Sequence, residues 1–282
     1  MPSPKELLQR FGLTPKYSFG QNFLSDAGTA ERIAGLSIAP VAGQRPGTVL
    51  ELGAGLGALT THLLAGAERV IAVERDRDLV PALSEIHADE IAAGRLIVRE
   101  ADAKAIDWEA EFTGPGPLVL CGNLPYQITG PLLEKTCGLH APIARAVFLV
   151  QKEVADRLAA TPGSDSYGAL TVFVQARFAV KRAFVVGSGS FYPAPRVSSA
   201  VVVLVPHVER VSEETPAFRR VVHAAFHARR KTLRNAWKGL ASADWLERVS
   251  SELGVSLDAR GETLDVATFA AVARLLENHE AA

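Results

Sequence analysis

Short apolar runs alternate with helix-like segments between Thr48 and Gln151. A strand covered on both faces is a near-continuous apolar run, and alternation of such runs with helices is typical of a parallel sheet with crossover helices. The predicted strands are Val49–Leu52, Arg69–Glu74, Leu96–Glu100, Leu118–Cys121 and Ala146–Val150. The predicted helices are Lys5–Phe11, Ala27–Leu36, Ala58–Leu64, Asp78–Glu90, Pro131–Cys137 and Lys152–Ala159.

Two longer β-rich stretches follow, Leu170–Val186 and Ser198–Val205, on either side of the Gly- and Pro-rich segment Gly187–Pro195. Because no helix is predicted between them, they are expected to form an antiparallel hairpin at the edge of the sheet. From Pro216 onward the chain is rich in Ala, Arg, Leu and Glu, with apolar residues at helical spacing. The pattern therefore predicts an α/β domain over residues 1–207 and a small helical domain over residues 208–282.

The chain has 282 residues, of which 48% are hydrophobic and 22% are charged. This composition excludes a disordered chain, and the apolar runs are shorter than the ~20 residues that span a bilayer. Cys121 and Cys137 are too few for a disulfide framework or a cysteine-based zinc site. His223 and His227 lie four residues apart, but no third ligand accompanies them, so no metal site is predicted. We expect a cytoplasmic protein without a membrane anchor.

The near-zero net charge hides an uneven distribution along the chain. Residues 51–111 contain 13 acidic and 6 basic side chains, whereas residues 177–238 contain 12 basic and 3 acidic ones. A basic region can bind a polyanion by releasing counterions from its phosphates, although solvated helix faces would give the same counts. The candidate phosphate contacts are Arg219, Arg220, Arg229, Arg230, Lys231, Arg234 and Lys238.

A glycine-rich turn, with glycines at 53, 55 and 57, follows the first predicted strand of the sheet. Glycine permits a sharp turn and lets a ligand approach the backbone closely. Glu74 ends the next strand, where a carboxylate can accept hydrogen bonds from both hydroxyls of a ribose. Asp102 follows the third strand, where its carboxylate can accept a hydrogen bond from an exocyclic amine. Ligands bind at the carboxyl ends of such strands, so these residues predict a cofactor that contains a nucleoside.

The spacing of the glycines favours a methyl donor over a dinucleotide. Dinucleotide sites use Gly-x-Gly-x-x-Gly with a helix amino terminus directed at the pyrophosphate, and here the third glycine comes one residue early. The surrounding acids, Glu51, Glu74 and Asp102, suit a cofactor that carries a sulfonium and an ammonium group. S-adenosylmethionine carries both, whereas the alternative is that these acids only cap the ends of strands.

Asn123-Leu124-Pro125-Tyr126 directly follows the fourth strand. The amine of an aromatic base is a poor nucleophile because its lone pair is delocalised into the ring. If Asn123 and the Leu124 carbonyl accept its two N–H bonds, the lone pair turns toward the methyl donor. Pro125 stiffens the turn by fixing φ, and Tyr126 can stack on the base. Catalysis of this kind depends mainly on placement.

Phe191 begins the Pro-containing loop between the two predicted edge strands. A base that is extruded from RNA needs aromatic planes to replace its lost stacking, and Phe191 can supply one. Packing of the ring into the core is the competing interpretation.

Several motifs in one order resemble the ribosomal RNA adenine dimethyltransferase family, which dimethylates two adjacent adenosines near the 3′ end of small-subunit rRNA. They are Gly20-Gln21-Asn22-Phe23-Leu24, Val73-Glu74-Arg75-Asp76, Asn123-Leu124-Pro125-Tyr126, Val150-Gln151-Lys152-Glu153-Val154, Phe191-Tyr192-Pro193-Ala194-Pro195-Arg196-Val197-Ser198-Ser199-Ala200 and Phe226-His227-Ala228-Arg229-Arg230-Lys231-Thr232-Leu233. The resemblance covers nearly the whole chain and shows no departure inside these motifs.

The resemblance implies a Rossmann-like class I methyltransferase sheet, mostly parallel with an antiparallel edge hairpin, that binds S-adenosylmethionine within residues 1–207. Residues 208–282 would then be a helical RNA-binding domain. The cofactor-binding residues carried over from the family are Asn22, Leu24, Gly53, Glu74, Asp102 and Asn123. The residues carried over to the target base are Asn123, Leu124, Pro125 and Tyr126, with Phe191 covering the other face of the flipped adenine.

The implied reaction is N6,N6-dimethylation of two adjacent adenosines in the 3′-terminal hairpin of 16S rRNA, on an immature small subunit, by an enzyme that is monomeric away from the ribosome. One alternative is methylation of large-subunit rRNA by an erythromycin-resistance-type enzyme. Another is a ribosome-assembly factor that binds without catalysis, and a dehydrogenase is a third.

Overall fold

The computed structural model describes residues 2–112, 114, 116–227 and 230–281. Its strands are β1 (Phe23–Leu24), β2 (Thr48–Leu52), β3 (Arg69–Glu74), β4 (Leu96–Glu100), β5 (Leu118–Asn123), β6 (Ile143–Gln151), β7 (Phe178–Val186), β8 (Phe191–Tyr192) and β9 (Ser199–Pro206). Its helices are α1 (Pro4–Arg10), α2 (Ala27–Ile38), α3 (Thr60–Leu63), α4 (Leu79–Ile86), α5 (Ala88–Ala92), α6 (Trp108–Glu111), α7 (Thr129–Gly138), α8 (Lys152–Leu158), α9 (Ala169–Arg177), α10 (Pro216–His227), α11 (Leu233–Trp237), α12 (Ala243–Leu253) and α13 (Val266–Ala281).

Seven strands form the main sheet in the order β4-β3-β2-β5-β6-β9-β7. The first five run parallel, and β9 pairs antiparallel with β6. Strand β2 is fully buried and β3 is buried in all but its first residue, as their continuous apolar sequences predicted. The predicted mostly parallel α/β sheet with an antiparallel edge is therefore confirmed. Its parallel strands all end at one rim, where the chain leaves Leu52, Glu74, Glu100, Asn123 and Gln151.

The prediction of one long strand over Leu170–Val186 was wrong in its first half, because Ala169–Arg177 forms α9 and only Phe178–Val186 forms β7. The β-branched residues of this stretch favour a strand, but tertiary packing overrides that preference. Val172 and Ala176, one helical turn apart, are buried in a helical core. Thr171 Oγ1 also accepts a hydrogen bond from Gly168 N at 3.1 Å, which caps the start of the helix.

The amino-terminal region contains a strand that the hydrophobic pattern did not predict. In β1, Phe23 pairs with Tyr192 and Leu24 pairs with Phe191 of β8, in an antiparallel two-stranded sheet. These two short strands are more than 160 residues apart in sequence, so no local periodicity could indicate their pairing. The pairing fixes the Gly20–Leu24 segment against the rest of the α/β unit.

The chain divides into two compact units, Met1–Ala155 with Lys181–Val205, and Asp156–Val180 with Pro206–Ala282. The second unit therefore contains α9 and its neighbours in addition to the predicted helical residues 208–282. Its own core is built around Phe218, Trp237, Trp245 and Phe269, which bury nearly all of their surface. The functional division at residue 207 stays a prediction. Over the described ranges, no helix combines the length and the apolar character needed to cross a bilayer.

Gly122 lies where β5 passes close to β2, and a Cβ added there would be 2.5 Å from the carbonyl oxygen of Leu52. Since a neighbouring backbone cannot yield as a flexible side chain does, we expect Gly122→Ala to lower the free energy of unfolding by about 1–3 kcal/mol. The matched control is Gly35→Ala inside α2, where an added Cβ meets nothing within 4 Å. It should raise the free energy of unfolding by about 0.4–1 kcal/mol. Denaturant titration measures the free energy of unfolding of both variants. If Gly122→Ala and Gly35→Ala change it equally, β5 does not approach the Leu52 carbonyl closely at Gly122.

Candidate active site

A cavity of about 390 Å³ opens at the rim where the parallel strands of the α/β unit end. Its volume falls within the ~300–1,000 Å³ of ordinary small-molecule sites. Of the residues that the sequence predicted for the site, the structure brings the following to its wall: Asn22, Leu24, Gly53, Glu74, Asp102, Asn123, Leu124, Pro125 and Tyr126. They come from five separate stretches of the chain, so the rim of the sheet is what brings them together.

The glycine-rich turn after β2 uses the freedom of its glycines. Gly53, Gly55 and Gly57 have φ values of 76°, 58° and 85°, in the left-handed region that disfavours other residues. Gly57 also has no room for a side chain, because a Cβ there would lie 2.6 Å from His87 Nε2. At the start of the turn, Gly53 N donates to the carbonyl of Val73 at 2.9 Å, which ties the turn to β3. At Gly53 and Gly55 the turn therefore brings its backbone close to the cavity.

Glu74 ends β3 with its carboxylate 8% exposed at the cavity wall. One oxygen accepts a hydrogen bond from Gly55 N at 2.8 Å, and the other accepts one from Asp76 N at 2.7 Å. Burial raises the pKa of Glu74, and the backbone hydrogen bonds oppose that rise. Because each carboxylate oxygen has a second lone pair, both can still accept a hydrogen bond from a ligand.

Glu51, at the base of the same wall, is 1% exposed. Burial raises its pKa to about 8, although Thr60 Oγ1 donates to it at 2.6 Å. The sequence interpretation counted Glu51 among the negative charges around the cofactor. In the structure this side chain is neutral near pH 7, because burial disfavours the ionised form.

Asp102 occupies the loop after β4, at the cavity wall. One of its oxygens accepts a hydrogen bond from Lys104 N at 2.9 Å, and the other lies 3.6 Å from the Arg75 guanidinium. The loop is held by Lys135, whose ammonium donates to the carbonyls of Ala103 and Lys104 at 3.4 and 3.0 Å. The loop is therefore fixed by contacts that reach it from α7.

The target loop, which we define as Asn123–Tyr126, is held by hydrogen bonds at its first two residues. Asn123 Nδ2 donates to the carbonyl of Asn22 at 3.0 Å. Leu124, 1% exposed, donates its backbone N–H to the carbonyl of Leu149 at 3.0 Å. Pro125 has φ −58°, as the ring requires. This loop and the segment containing Asn22 thus form neighbouring parts of one wall.

Asp76 holds the amino-terminal segment beside the cavity, a role that sequence reasoning missed. Its carboxylate, 2% exposed, accepts hydrogen bonds from Lys16 Nζ at 2.5 Å and from Gln21 Nε2 at 2.7 Å. The Lys16 ammonium also lies 2.6 Å from Asp78. Although burial opposes ionisation, these donors lower the pKa of Asp76. Gln21 and Asp76 stand inside motifs of the sequence, but nothing in their local pattern indicated that they meet.

Phe191 does not line the cavity. The ring is 4% exposed and belongs to the apolar core of the α/β unit, beside Leu24 and Val186. In this structure the ring therefore has the position of the competing interpretation, packing into the core, and its role as a cover for the second face of a base stays a prediction. The reason is the β1–β8 pairing, which places Phe191 opposite Leu24. To stack on a base, the ring would have to leave this core.

The basic residues of the second unit fall into two groups. Arg219 pairs with Glu214 at 2.7 Å and Arg220 with Glu280 at 2.6 Å. A second group is exposed and makes no ion pair with another described residue: Arg230, Lys231, Arg234 and Lys238. Arg229, also predicted to contact phosphate, lies outside the described residues. The positive charge left for a polyanion is therefore concentrated around α11.

His223, predicted to bind no metal, packs its ring 5.0 Å from the ring of Phe173. Within the part of the chain that the structure describes, no cluster of three or more His, Cys, Asp and Glu side chains could hold a metal ion.

The sheet order, with a ligand cavity at the carboxyl ends of its strands, defines a Rossmann-like class I methyltransferase fold. The family model of ribosomal RNA adenine dimethylase matches residues 12–278. Since this match covers nearly the whole chain, the protein belongs to that family.

Curated relatives agree with this assignment. "Ribosomal RNA small subunit methyltransferase A" of Anaeromyxobacter sp. (strain K) is 45% identical, over 98% of both chains. The protein of the same name from Myxococcus xanthus is 40% identical, over 98% of this chain and 96% of its own.

Two solved structures share the fold. A dimethyladenosine transferase from Plasmodium falciparum is 25% identical with a TM-score of 0.76, over 92% of this chain and 98% of its own. The 23S rRNA methyltransferase ErmE is 25% identical with a TM-score of 0.67, over 91% of this chain and 100% of its own.

The raised pKa of Glu51 predicts a pH-dependent stability. Above its ordinary pKa of 4.5 the unfolded state loses this proton, while the folded state keeps it up to about pH 8. The free energy of unfolding should therefore fall between these pH values, by at most about 1.4 kcal/mol per pH unit. Glu51→Gln should remove this part of the slope, and the exposed Glu68→Gln should keep it. Denaturant titrations at several pH values measure the free energy of unfolding of both variants. If it falls with pH as steeply in Glu51→Gln as in the wild type, Glu51 is not buried in its protonated form.

Proposed function

We propose that this protein transfers methyl groups from S-adenosylmethionine to N6 of two adjacent adenosines in the 3′-terminal hairpin of 16S rRNA, two groups to each. The observation that carries the proposal is the shared wall of one cavity. Glu74 and Asp102 stand on one part of it, and the target loop Asn123–Tyr126 stands on another. A cofactor held by the first group lies within reach of a base held by the second.

The residues of the cavity fit S-adenosylmethionine. Both oxygens of Glu74 are fixed by backbone N–H groups and keep a lone pair each for the ribose hydroxyls. Asp102 is held at the rim to accept the adenine amine, and Gly53, Asn22 and Leu24 complete the wall. When bound, this cofactor supplies a methyl group on a positively charged sulfur. The acidic wall suits that charge and opposes the pyrophosphate of a dinucleotide.

Asn123 and Leu124 prepare the target nitrogen. Because Asn123 Nδ2 is bound to the Asn22 carbonyl, the side-chain oxygen is the atom left to accept from the adenine amine. The Leu124 carbonyl accepts the second N–H. These two bonds draw the nitrogen toward tetrahedral geometry, and its lone pair forms the new bond to the methyl carbon as the carbon–sulfur bond breaks. The methylated nitrogen then loses its proton to water, so the chain needs no strong base.

Pro125 and Tyr126 hold the base for this step. The proline restricts the turn that carries Asn123 and Leu124, and the tyrosine ring stacks on the adenine. Placement of the nitrogen in line with the methyl group supplies most of the rate enhancement, since two reactants are held in one geometry.

The immature small ribosomal subunit in the cytoplasm is the proposed partner, bound by a monomer of this protein. Two features support it. The relatives that match this chain over nearly their whole length are named small-subunit methyltransferases, and exposed cations lie around α11. Large-subunit rRNA is the second candidate, because the 23S rRNA methyltransferase ErmE shares the fold. A binding factor without catalysis would not need the ordered polar wall around Asn123.

The first test is transfer of labelled methyl groups from S-adenosylmethionine to small subunits from a strain that lacks the modification. We expect label that is recovered as dimethyladenosine after digestion of the RNA. Large subunits from the same strain are the control and should take up none. Label in the large subunit, in cytosine or in protein would contradict the proposal.

Asn123→Ala should lower kcat by about 100-fold or more, since it removes an acceptor that aligns the target nitrogen. The matched control is Asn278→Ala, an exposed asparagine on α13, which should leave kcat unchanged. Single-turnover methyl transfer measures both variants. If Asn123→Ala transfers methyl groups at the wild-type rate, Asn123 does not hold the target amine.

A further inference from the structure

The hydroxyl of Tyr126 lies 2.7 Å from Ser199 Oγ, within hydrogen-bond distance. Ser199 is the first residue of β9 and is fully buried. Tyr126 is half-buried and ends the target loop, with its ring at the cavity wall. The serine stands within the Phe191–Ala200 motif, and the proposed reaction assigns no role to this serine.

The direction of β9 brings this serine to the site. The parallel strands end at the cavity rim, so their last residues meet there. Because β9 runs antiparallel to β6, its first residue meets the last residue of that strand: Ser199 faces Gln151. Two residues along, Val201 faces Leu149, and Leu149 in turn faces Asn123 of β5. The backbone ladder therefore fixes the position of Ser199 relative to the target loop.

We propose that Ser199 is a positioning residue for methyl transfer, which fixes the ring of Tyr126 in the plane that stacks on the target adenine. The proposal rests on the proposed function. A tyrosine ring can turn about two side-chain torsions, and a loop residue that is half-buried is not held by packing alone. A hydrogen bond at the far end of the ring restrains both torsions. The serine hydroxyl is itself held in place because Ser199 is fully buried at the start of β9, which pairs with β6.

This positioning matters because the ring of Phe191 is buried in the core and does not line the cavity, whereas Tyr126 does. Tyr126 therefore helps to set the plane of the adenine, and a tilted base would turn the lone pair of its amine away from the methyl group. Loss of the Ser199 hydroxyl should consequently affect the transfer step more than cofactor binding, since Ser199 is remote from Glu74 and Asp102 along the sheet order.

The test compares Ser199→Ala with Ser198→Ala, the neighbouring serine, which is exposed. We expect Ser199→Ala to lower kcat about 3- to 10-fold on small subunits, with KM for S-adenosylmethionine unchanged, as loss of one hydrogen bond predicts. Tyr126→Phe removes the same bond from the other side and should give a similar loss. Tyr126→Phe still tests the hydrogen bond if Ser199→Ala impairs folding.

The double variant distinguishes positioning from independent effects. If the bond is the cause, Ser199→Ala combined with Tyr126→Phe should lose no more activity than either change alone. The inference is overturned if the two losses multiply, if Ser199→Ala behaves as Ser198→Ala does, or if only KM for the cofactor changes. Absence of methyl transfer by the wild-type protein would instead refute the proposed function, so the two failures are distinguishable.

Discussion

Parallel alignment of five strands is the constraint on which this site depends. Strands that run in one direction release the chain at one rim, so the turn after β2, Glu74, Asp102 and the target loop meet there although 70 residues separate the first from the last. Parallel strands also require crossover helices, which cover both faces and leave the rim as the place where polar groups can reach solvent and ligand. The antiparallel β9 adds the start of a strand to the same rim.

Buried carboxylates show how the rim is stabilised. Glu51, Glu74 and Asp76 all lie nearly out of contact with water, and each has found hydrogen-bond donors. The direction of the pKa shift depends on whether burial or the hydrogen-bond donors have the larger effect. Glu51 has a hydroxyl partner and a pKa raised to about 8, whereas Asp76 has an ammonium partner and a lowered pKa. Asp76 and Glu74 are also linked directly, since the backbone N–H of Asp76 binds Glu74. The cofactor wall and the amino-terminal segment therefore share one network.

The uneven charge belongs to short stretches of the chain and not to the two compact units. Each unit is nearly neutral, with 18 acidic and 17 basic residues in the first and 13 of each in the second. Residues 51–111, which contribute to the cavity wall, are mainly acidic, whereas exposed cations lie around α11. A cationic cofactor and an anionic RNA place opposite demands on a surface, and separate stretches meet both demands while the net charge of the chain stays near zero.

Local sequence was sufficient for the elements and residues whose roles depend on near neighbours. The continuous apolar runs indicated the buried strands, and the turn glycines, Glu74, Asp102 and Asn123 were identified because each lies at or just after the carboxyl end of a predicted strand. Tertiary structure alone decided the rest: α9 is a helix because Val172 and Ala176 are buried together, and Phe191 is buried because β8 pairs with β1. The bonds of Asp76 to Lys16 and of Tyr126 to Ser199 likewise join residues some 60 to 73 positions apart. Such contacts leave no periodicity in the sequence, since they depend on where the folded chain returns rather than on what stands beside each residue.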